Sequence, residues 1–181
     1  MFPWYSAEQP ILWWAPDPRA VLLPSEFRMS RSLARSIRNR GYETRIDTAF
    51  DAVVEACAGP RDGGAGTWIT VEMRDAYGAL HLRGFAHSIE TWHENRLVGG
   101  LYGVAIGRVF FGESMFTRER DASKVALARL TQECLRLGVA LIDCQLPSPH
   151  LASLGSRNLV RSEFEAQLAV LVDARPRLWR E

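Results

Sequence analysis

Cysteine is scarce in this chain. The three present, at positions 57, 134 and 144, are too few and too scattered for a disulfide framework, so a reduced protein is expected. No run approaches the roughly 18 uncharged apolar residues that a membrane span needs. The opening Met1-Phe-Pro-Trp-Tyr-Ser lacks the charged and apolar segments of a secretory leader, which predicts a cytoplasmic protein with no membrane partner. No internal repeat or low-complexity linker is visible. Neither sign of charge dominates, since 22 Lys and Arg stand against 21 Asp and Glu for a net charge of +1. With 47% apolar and 24% charged residues, the composition excludes disordered, collagenous and coiled-coil chains. A single domain over residues 1–181 is predicted, because a chain of this size buries about two-thirds of its unfolded surface in one core.

Several chemistries are missing as well. His81, His87, His93 and His150 are widely spaced, and no Cys or His pair has zinc-ligand spacing, so no metal is expected and core or surface roles suit these histidines. The nucleophile-elbow pattern Gly-x-Ser-x-Gly is absent, and so are the Gly-rich phosphate loops of the P-loop and dinucleotide types.

What is present is unevenly arranged. Residues 28–45 carry Arg28, Arg31, Arg35, Arg38, Arg40 and Arg45 with Glu43 as the only acid. Positions 28, 31, 35 and 38 fall at helical spacings and would share one helix face, either as a solvated surface or as a face for phosphates. The first 24 residues are rich in Pro and Trp and predict an irregular, extended segment. Ser30 would cap a helix running to about Arg40, with Gly41 as its stop. A second helix is expected over 48–58, with Phe50, Val53, Val54 and Cys57 on its apolar face, followed by a loop at 59–66 to which no role is assigned. Thr70 would open a third, with Met73, Ala76, Tyr77 and Leu80 on its core side. The period then changes to that of strands at 87–93, 97–106 and 108–116, joined by Glu94-Asn95-Arg96 and by Gly107. Asp121 should cap the clearest helix, which Gly138 stops. A short strand at 139–145, a short helix near 150–154 and a last helix from Ser162 complete the pattern. The class is α+β, a mixed sheet flanked by helices, and the later portion resembles the GNAT-like acyltransferase fold.

Two clusters could carry chemistry. In Leu141-Ile-Asp-Cys-Gln145, strand alternation would place Asp143 and Gln145 on one face and Ile142 and Cys144 on the other. That pair reads as a clamp on reacting groups, or Asp143 as an acid that bonds a nearby loop. In Gly112-Glu-Ser-Met-Phe116, Glu113 sits among Phe110, Phe111, Met115 and Phe116, where a carboxylate must be paired, protonated or awaiting a cation. A structural ion pair with an arginine is the alternative. The glycines of Gly99-Gly-Leu-Tyr-Gly103 mark a bulge or a close approach. A CoA-dependent enzyme of this fold would carry a Gln/Arg-x-x-Gly-x-Gly/Ala loop before the long helix, whereas the junction reads Thr117-Arg-Glu-Arg-Asp121. Six tryptophans are many for this length; Trp4 and Trp68, beside Pro- and Gly-rich segments, suit stacking on unpaired bases, while Trp13, Trp14 and Trp92 suit the core.

These segments together resemble the bacterial leucyl/phenylalanyl-tRNA–protein transferases. The matching motifs are Phe2-Pro-Trp, Leu12-Trp-Trp-Ala-Pro-Asp-Pro-Arg19, Ser30-Arg-Ser-Leu33, Thr67-Trp-Ile69, Ala86-His-Ser-Ile-Glu90 and Leu97-Val-Gly-Gly-Leu-Tyr-Gly103. They continue with Gly112-Glu-Ser-Met-Phe116, Ala122-Ser-Lys124, Leu141-Ile-Asp-Cys-Gln145 and Ser153-Leu-Gly155, so that nearly the whole chain is covered in order. The resemblance implies transfer of Leu or Phe from aminoacyl-tRNA to proteins beginning with Arg or Lys, marking them for N-degron degradation; an apolar pocket discriminates weakly by size, which predicts some transfer of Met as well. It implies that Trp4 and Trp68 stack on the 3′ adenosine, that Asp143 and Gln145 form the peptidyl-transfer centre, and that Glu113 meets the basic acceptor residue. Leu101, Phe110, Met115, Leu127, Leu130 and Ile142 would line the aminoacyl side-chain pocket. The family usually carries an N-terminal lobe before Phe-Pro-Trp, and residues 1–24 read as its remnant.

An aminoacyl ester is already activated toward amines, so neither CoA nor a metal cofactor is expected. Gln145 would hold the attacking amine, and Asp143 would orient Gln145 and assist with the proton. Arg28, Arg31, Arg35 and Arg38 would contact tRNA phosphates. The rivals are a non-catalytic module binding aminoacyl-tRNA or an N-terminal residue, an acetyl-CoA-dependent acetyltransferase, and transfer to a dedicated small acceptor.

Overall fold

The structure is a computed structural model and describes residues 2–3, 10–59, 69–174 and 179. In chain order its elements are β1 (Phe2–Pro3), β2 (Trp13–Trp14), β3 (Arg19–Leu22), α1 (Arg31–Asn39), β4 (Glu43–Ile46), α2 (Phe50–Ala58), α3 (Val71–Leu82), β5 (Ala86–His93), β6 (Arg96–Ile106) and β7 (Val109–Thr117). They continue with α4 (Ala122–Leu137), β8 (Leu141–Gln145), α5 (Pro149–Ser153), β9 (Arg157–Leu159) and α6 (Arg161–Leu171). The strands β1 and β2 pair with each other, and the other seven form one sheet in the order β4-β5-β6-β7-β8-β3-β9.

The expected meander is the centre of this sheet. Glu94 and Asn95, with φ of 49° and 59°, make the two-residue turn between β5 and β6 whose twist suits a hairpin. The helix α4 then carries the chain across to β8, which pairs parallel with β7, while the other neighbours among the described residues pair antiparallel. Alternation along the strands divides the core. Leu22, Leu101, Phe110 and Ile142 face α4, in a cluster with Leu127, Leu130 and Leu137. Their strand neighbours point the other way. Tyr102 packs with Phe50, Val53, Ile69 and Tyr77 of the α2–α3 side. Val21, Val109 and Leu141 pack with Phe164 of α6. Between these last two clusters lies the polar site described below.

Close approach demands glycine at two points of β6. A Cβ on Gly99 would lie 2.6 Å from that of Ala122, so β6 can receive the first turn of α4 only there. At Gly103 a Cβ would stand 2.5 Å from the Phe110 ring and 2.2 Å from the Phe111 carbonyl oxygen, beside the bulge between Tyr102 and Gly103. No helix among the described residues is long and apolar enough to cross a membrane.

Several expectations change. The segment 1–24, expected to be irregular, contains β3, an interior strand between β8 and β9 whose four residues are all buried. A four-residue strand covered on both faces shows no alternation, and the flanking Pro18 and Pro24 disguised it as a loop. The strands β4 and β9 were likewise not foreseen, being short and half polar. Trp13 and Trp14 are 63% and 46% exposed, so neither is a core residue. Ala76 is exposed, whereas Tyr77 of the same helix is buried. Asp121 occupies the N-cap of α4 at φ 64° but does not cap it. Its carboxylate instead accepts from Ser36 Oγ at 2.8 Å and Lys124 Nζ at 2.9 Å, joining α1 to α4. His87 is structural: buried, it places Nδ1 2.8 Å from Asp47 and Nε2 3.1 Å from the Gly84 carbonyl. Glu90, also buried, accepts from the Thr48 and Ala49 amides at 2.9 Å each and so supplies the N-terminal cap of α2 from the neighbouring strand.

Candidate active site

The parallel pairing of β7 with β8 runs only from Val109, Phe110 and Phe111 to Leu141, Ile142 and Asp143. Where it ends, the sheet presents a polar cluster on the α2–α3 and α6 side and an apolar cavity on the α4 side.

Asp143 is the anchor of the cluster. It is fully buried, and Arg19 of the adjacent β3 grips it with both arms, Nε to Oδ1 at 2.9 Å and Nη2 to Oδ2 at 2.6 Å. The guanidinium, only 3% exposed, lies over the Phe164 ring of α6 at 5.1 Å. Planarity fits arginine to this double duty of fork and stack, which lysine could not perform. Asp143 Oδ1 also accepts the Gln145 amide at 2.9 Å. Gln145 needs that support, because its φ of 66° is left-handed, an unfavourable region for a residue with a side chain.

The same backbone reversal corrects the expected alternation. Asp143 and Gln145 do not stand side by side on a regular strand; the carboxylate holds the main chain of Gln145, and the Gln145 side chain is thereby aimed at Glu113, with Nε2 at 3.4 Å from Oε2. Ile142 and Cys144 face α4 as expected. Glu113 also accepts from the Tyr77 hydroxyl of α3. Burial pushes its carboxyl up to about 7, opposed by the bonds from Tyr77 and Gln145; the negative charge of Asp143 adds to the rise and Arg19 counters it. Of the alternatives for Glu113, a structural ion pair is not found among the described residues. It is a half-buried acid with two neutral donors and no ion-pair partner among the described residues, Arg19 acting on it only at a distance. Burial raises the Tyr77 hydroxyl as well, so tyrosine serves there as a donor.

The cavity has a volume of about 110 Å³, and all six residues expected to line a pocket, Leu101, Phe110, Met115, Leu127, Leu130 and Ile142, do so. Tyr102, Gly112, Ser114, Asp143, Cys144 and Leu151 complete its wall. Burial, then the charge of Asp143, pushes the Cys144 thiol up to about 12, so it serves as apolar wall. The cavity and Glu113 thus flank one point at the end of the β7–β8 pairing, where Gln145 stands.

The basic face divides differently from the expectation. Arg28 precedes the N-cap Ser30 and is not on α1, so positions 28, 31, 35 and 38 do not form one helix face. Arg31 and Arg35 instead line a groove of about 460 Å³ with Arg40 and Arg120, and with Ser32, Ser36 and Asn39. No carboxylate lines it. Arg38 is exposed but lies outside this groove. Trp4 and Trp68 lie outside the described residues. Sequence reasoning missed Arg19, Arg40, Arg120 and the role of Tyr77. Arg19 stands in the Asp-Pro-Arg motif already quoted, but nothing local says that its partner is 124 positions away. Among the described residues no group of three His, Cys, Asp or Glu side chains could hold a metal ion.

Residues 21–169 match the family described as leucyl/phenylalanyl-tRNA protein transferase. A leucyl/phenylalanyl-tRNA–protein transferase of Thiobacillus denitrificans is 59% identical over 173 residues, covering 96% of this chain and 76% of that protein. Its counterpart in Aromatoleum aromaticum is 57% identical over 169 residues, 93% of this chain and 71% of that one. Among solved structures, L-PGS from Bacillus licheniformis superposes with a TM-score of 0.49 at 13% identity, covering 74% of this chain and 46% of that chain.

Proposed function

The chain belongs to the leucyl/phenylalanyl-tRNA protein transferase family, and from that premise we propose which groups it recognises and how. It is an aminoacyltransferase that carries an amino acid from tRNA to protein. The donor is leucyl-tRNA in preference to phenylalanyl-tRNA, and the acceptor is a protein beginning with Arg or Lys, which the transfer marks for N-degron degradation. The observation that carries this reading is the juxtaposition of a largely apolar cavity with an acid that makes no ion pair among the described residues, on either side of Gln145.

The apolar side chain of the donor enters the cavity, which places its ester carbonyl at the end of β8. An apolar cavity of roughly 150 Å³ accepts a benzene ring. At about 110 Å³ this one suits a branched aliphatic chain, and a phenyl ring needs Met115 or Phe110 to yield. Leucine is therefore expected to be transferred several-fold more efficiently than phenylalanine, with measurable leakage to methionine, since one methylene is worth only about 1–3 kcal/mol. Competition between the charged tRNAs at equal concentration checks this. Equal transfer of glutamate would overturn the pocket.

The acceptor enters with its basic side chain toward Glu113. With Nε2 of Gln145 directed to Glu113, its Oε1 remains to accept from the incoming α-amine. An α-amino group has a pKa of about 7.7–8.0, so a useful fraction is neutral near pH 7 without a strong base. The amine nitrogen bonds to the ester carbon, the bond from that carbon to the ribose oxygen breaks, and the proton lost by nitrogen matches the one gained by the ribose hydroxyl. Asp143 already accepts three hydrogen bonds from Arg19 and the Gln145 amide, so it is a positioning residue that acts through Gln145 and not the proton acceptor. Alignment supplies the rate.

No cofactor is required in this scheme. The junction before α4, Thr117-Arg-Glu-Arg-Asp121, has no glycine with which to form a pyrophosphate-binding loop, which supports donor recognition without CoA. The groove of Arg31, Arg35, Arg40 and Arg120 contacts tRNA phosphates, with Trp4 and Trp68 stacking on the 3′ adenosine. Replacing Arg31 and Arg35 together should flatten the slope of log K against log salt by about 1.4–1.8, at roughly 0.7–0.9 per lost contact. An unchanged slope would make the groove a solvated surface. The reading as a whole is tested by transfer of labelled leucine from charged tRNA to a peptide with N-terminal Arg. Binding of the charged tRNA without turnover would favour a non-catalytic module.

A further inference from the structure

The floor of the donor cavity is Phe110, which is fully buried and lies against Gly103 where no side chain could fit. The ring also packs against a residue distant in sequence that does not line the cavity. Trp179 is buried in the same cluster, its indole 5.4 Å from the Phe110 ring at an angle of 40°. Trp179 also stacks on His87 at 4.6 Å and 14°. His87 is itself fixed, by Asp47 at 2.8 Å and the Gly84 carbonyl at 3.1 Å. The indole nitrogen finds no hydrogen-bond partner among the described residues, so the contribution of Trp179 is its bulk and flat face, not a bond.

We propose that Trp179 is a specificity-determining residue, which sets the depth of the donor cavity by preventing Phe110 from tilting away from it. This rests on the reading of that cavity as the aminoacyl pocket. Packed interiors respond to lost volume by partial collapse of the nearest ring. A smaller side chain at 179 therefore lets Phe110 recede and lengthens the cavity, although residue 179 touches no substrate.

The test uses the full chain with Trp179→Phe, which removes no hydrogen bond, and Trp179→Leu as a second variant, both assayed at least 10 °C below their melting temperatures. Transfer from leucyl-tRNA and phenylalanyl-tRNA is measured in competition, with Leu127→Ala as a control in the cavity wall itself. The Phe-to-Leu ratio is expected to rise roughly fivefold in Trp179→Phe and further in Trp179→Leu. A role confined to folding would lower both transfers together and leave the ratio fixed, which would overturn the proposal. If Leu127→Ala shifts the ratio and the Trp179 variants do not, only this inference falls. If Leu127→Ala leaves it unchanged as well, the pocket assignment falls and takes the inference with it.

Discussion

Replacing Arg19 with methionine is expected to abolish transfer and to destabilise the protein by about 3–5 kcal/mol, the range for removing one partner of a buried ion pair. The reason lies in what remains. Asp143 has no solvent exposure, and without the guanidinium it keeps one hydrogen bond, from the Gln145 amide. A lone carboxylate in that position must take up a proton or draw in water, and either response disturbs the left-handed turn at Gln145 that aims its side chain at Glu113. Arg19→Lys should fall between, since an ammonium can meet one carboxylate oxygen but cannot fork and stack together. The double variant Arg19→Met with Asp143→Leu should regain most of the stability while staying inactive, because an apolar pair of similar shape replaces a buried ion pair at little cost. Urea unfolding of the three variants, with leucine transfer measured on each, checks the argument. A stable and active Arg19→Met protein would mean that Asp143 is held by something else. Recovered activity in the double variant would remove Asp143 from the mechanism altogether.

This ion pair also shows where sequence reading stops. The Asp143 and Gln145 motif was legible, because an acid and an amide at the end of an apolar strand are out of place without a task. Its geometry was not, because strand alternation assumes a regular backbone and Gln145 departs from it. Nor was its partner legible, since pairing β3 with β8 closes a gap of 124 residues. The long strands and α4 were readable from periodicity, for each has one face on the core and enough turns to display it. The strand β3 was hidden by the opposite circumstance: it is short and buried on both sides. The cavity belongs to a third kind. Six of its lining residues were named from resemblance, yet no periodicity says that residues of β6, β7, α4 and β8 leave a void between them. Arg40 and Arg120 joined the basic groove for the same reason, brought together by the seat of α1 beside the start of α4.

Glu113→Gln is expected to lower transfer to an N-terminal Arg acceptor by roughly 30- to 1000-fold, equivalent to about 2–4 kcal/mol, while changing transfer to an acceptor with an uncharged first residue far less. The discrimination should also depend on pH, with a sign that follows from burial. The Glu113 carboxyl is held up at about 7, so below that pH the site is largely neutral and has little to offer a cation. As pH rises through 7 the carboxylate forms, and the ratio of kcat/KM for the basic acceptor over the uncharged one should climb and then level off above about 8. Ionisation of the acceptor amine, at about 7.7–8.0, raises both acceptors alike and cancels in that ratio. In Glu113→Gln the ratio should be low and flat. Two consequences can be measured without turnover. Because the folded-state pKa lies above that of an unfolded glutamate, folding prefers the protonated acid, and stability is lost as pH rises from about 4.5 through 7. Glu113→Gln escapes that loss and should be the more stable protein at pH 8, not at pH 4. A cationic acceptor stabilises the carboxylate, so its binding at or below pH 7 should release protons, seen as a binding enthalpy that varies with the ionisation enthalpy of the buffer. Binding of the basic peptide with no proton release, together with a flat acceptor ratio in the parent protein, would show that the cation is recognised elsewhere.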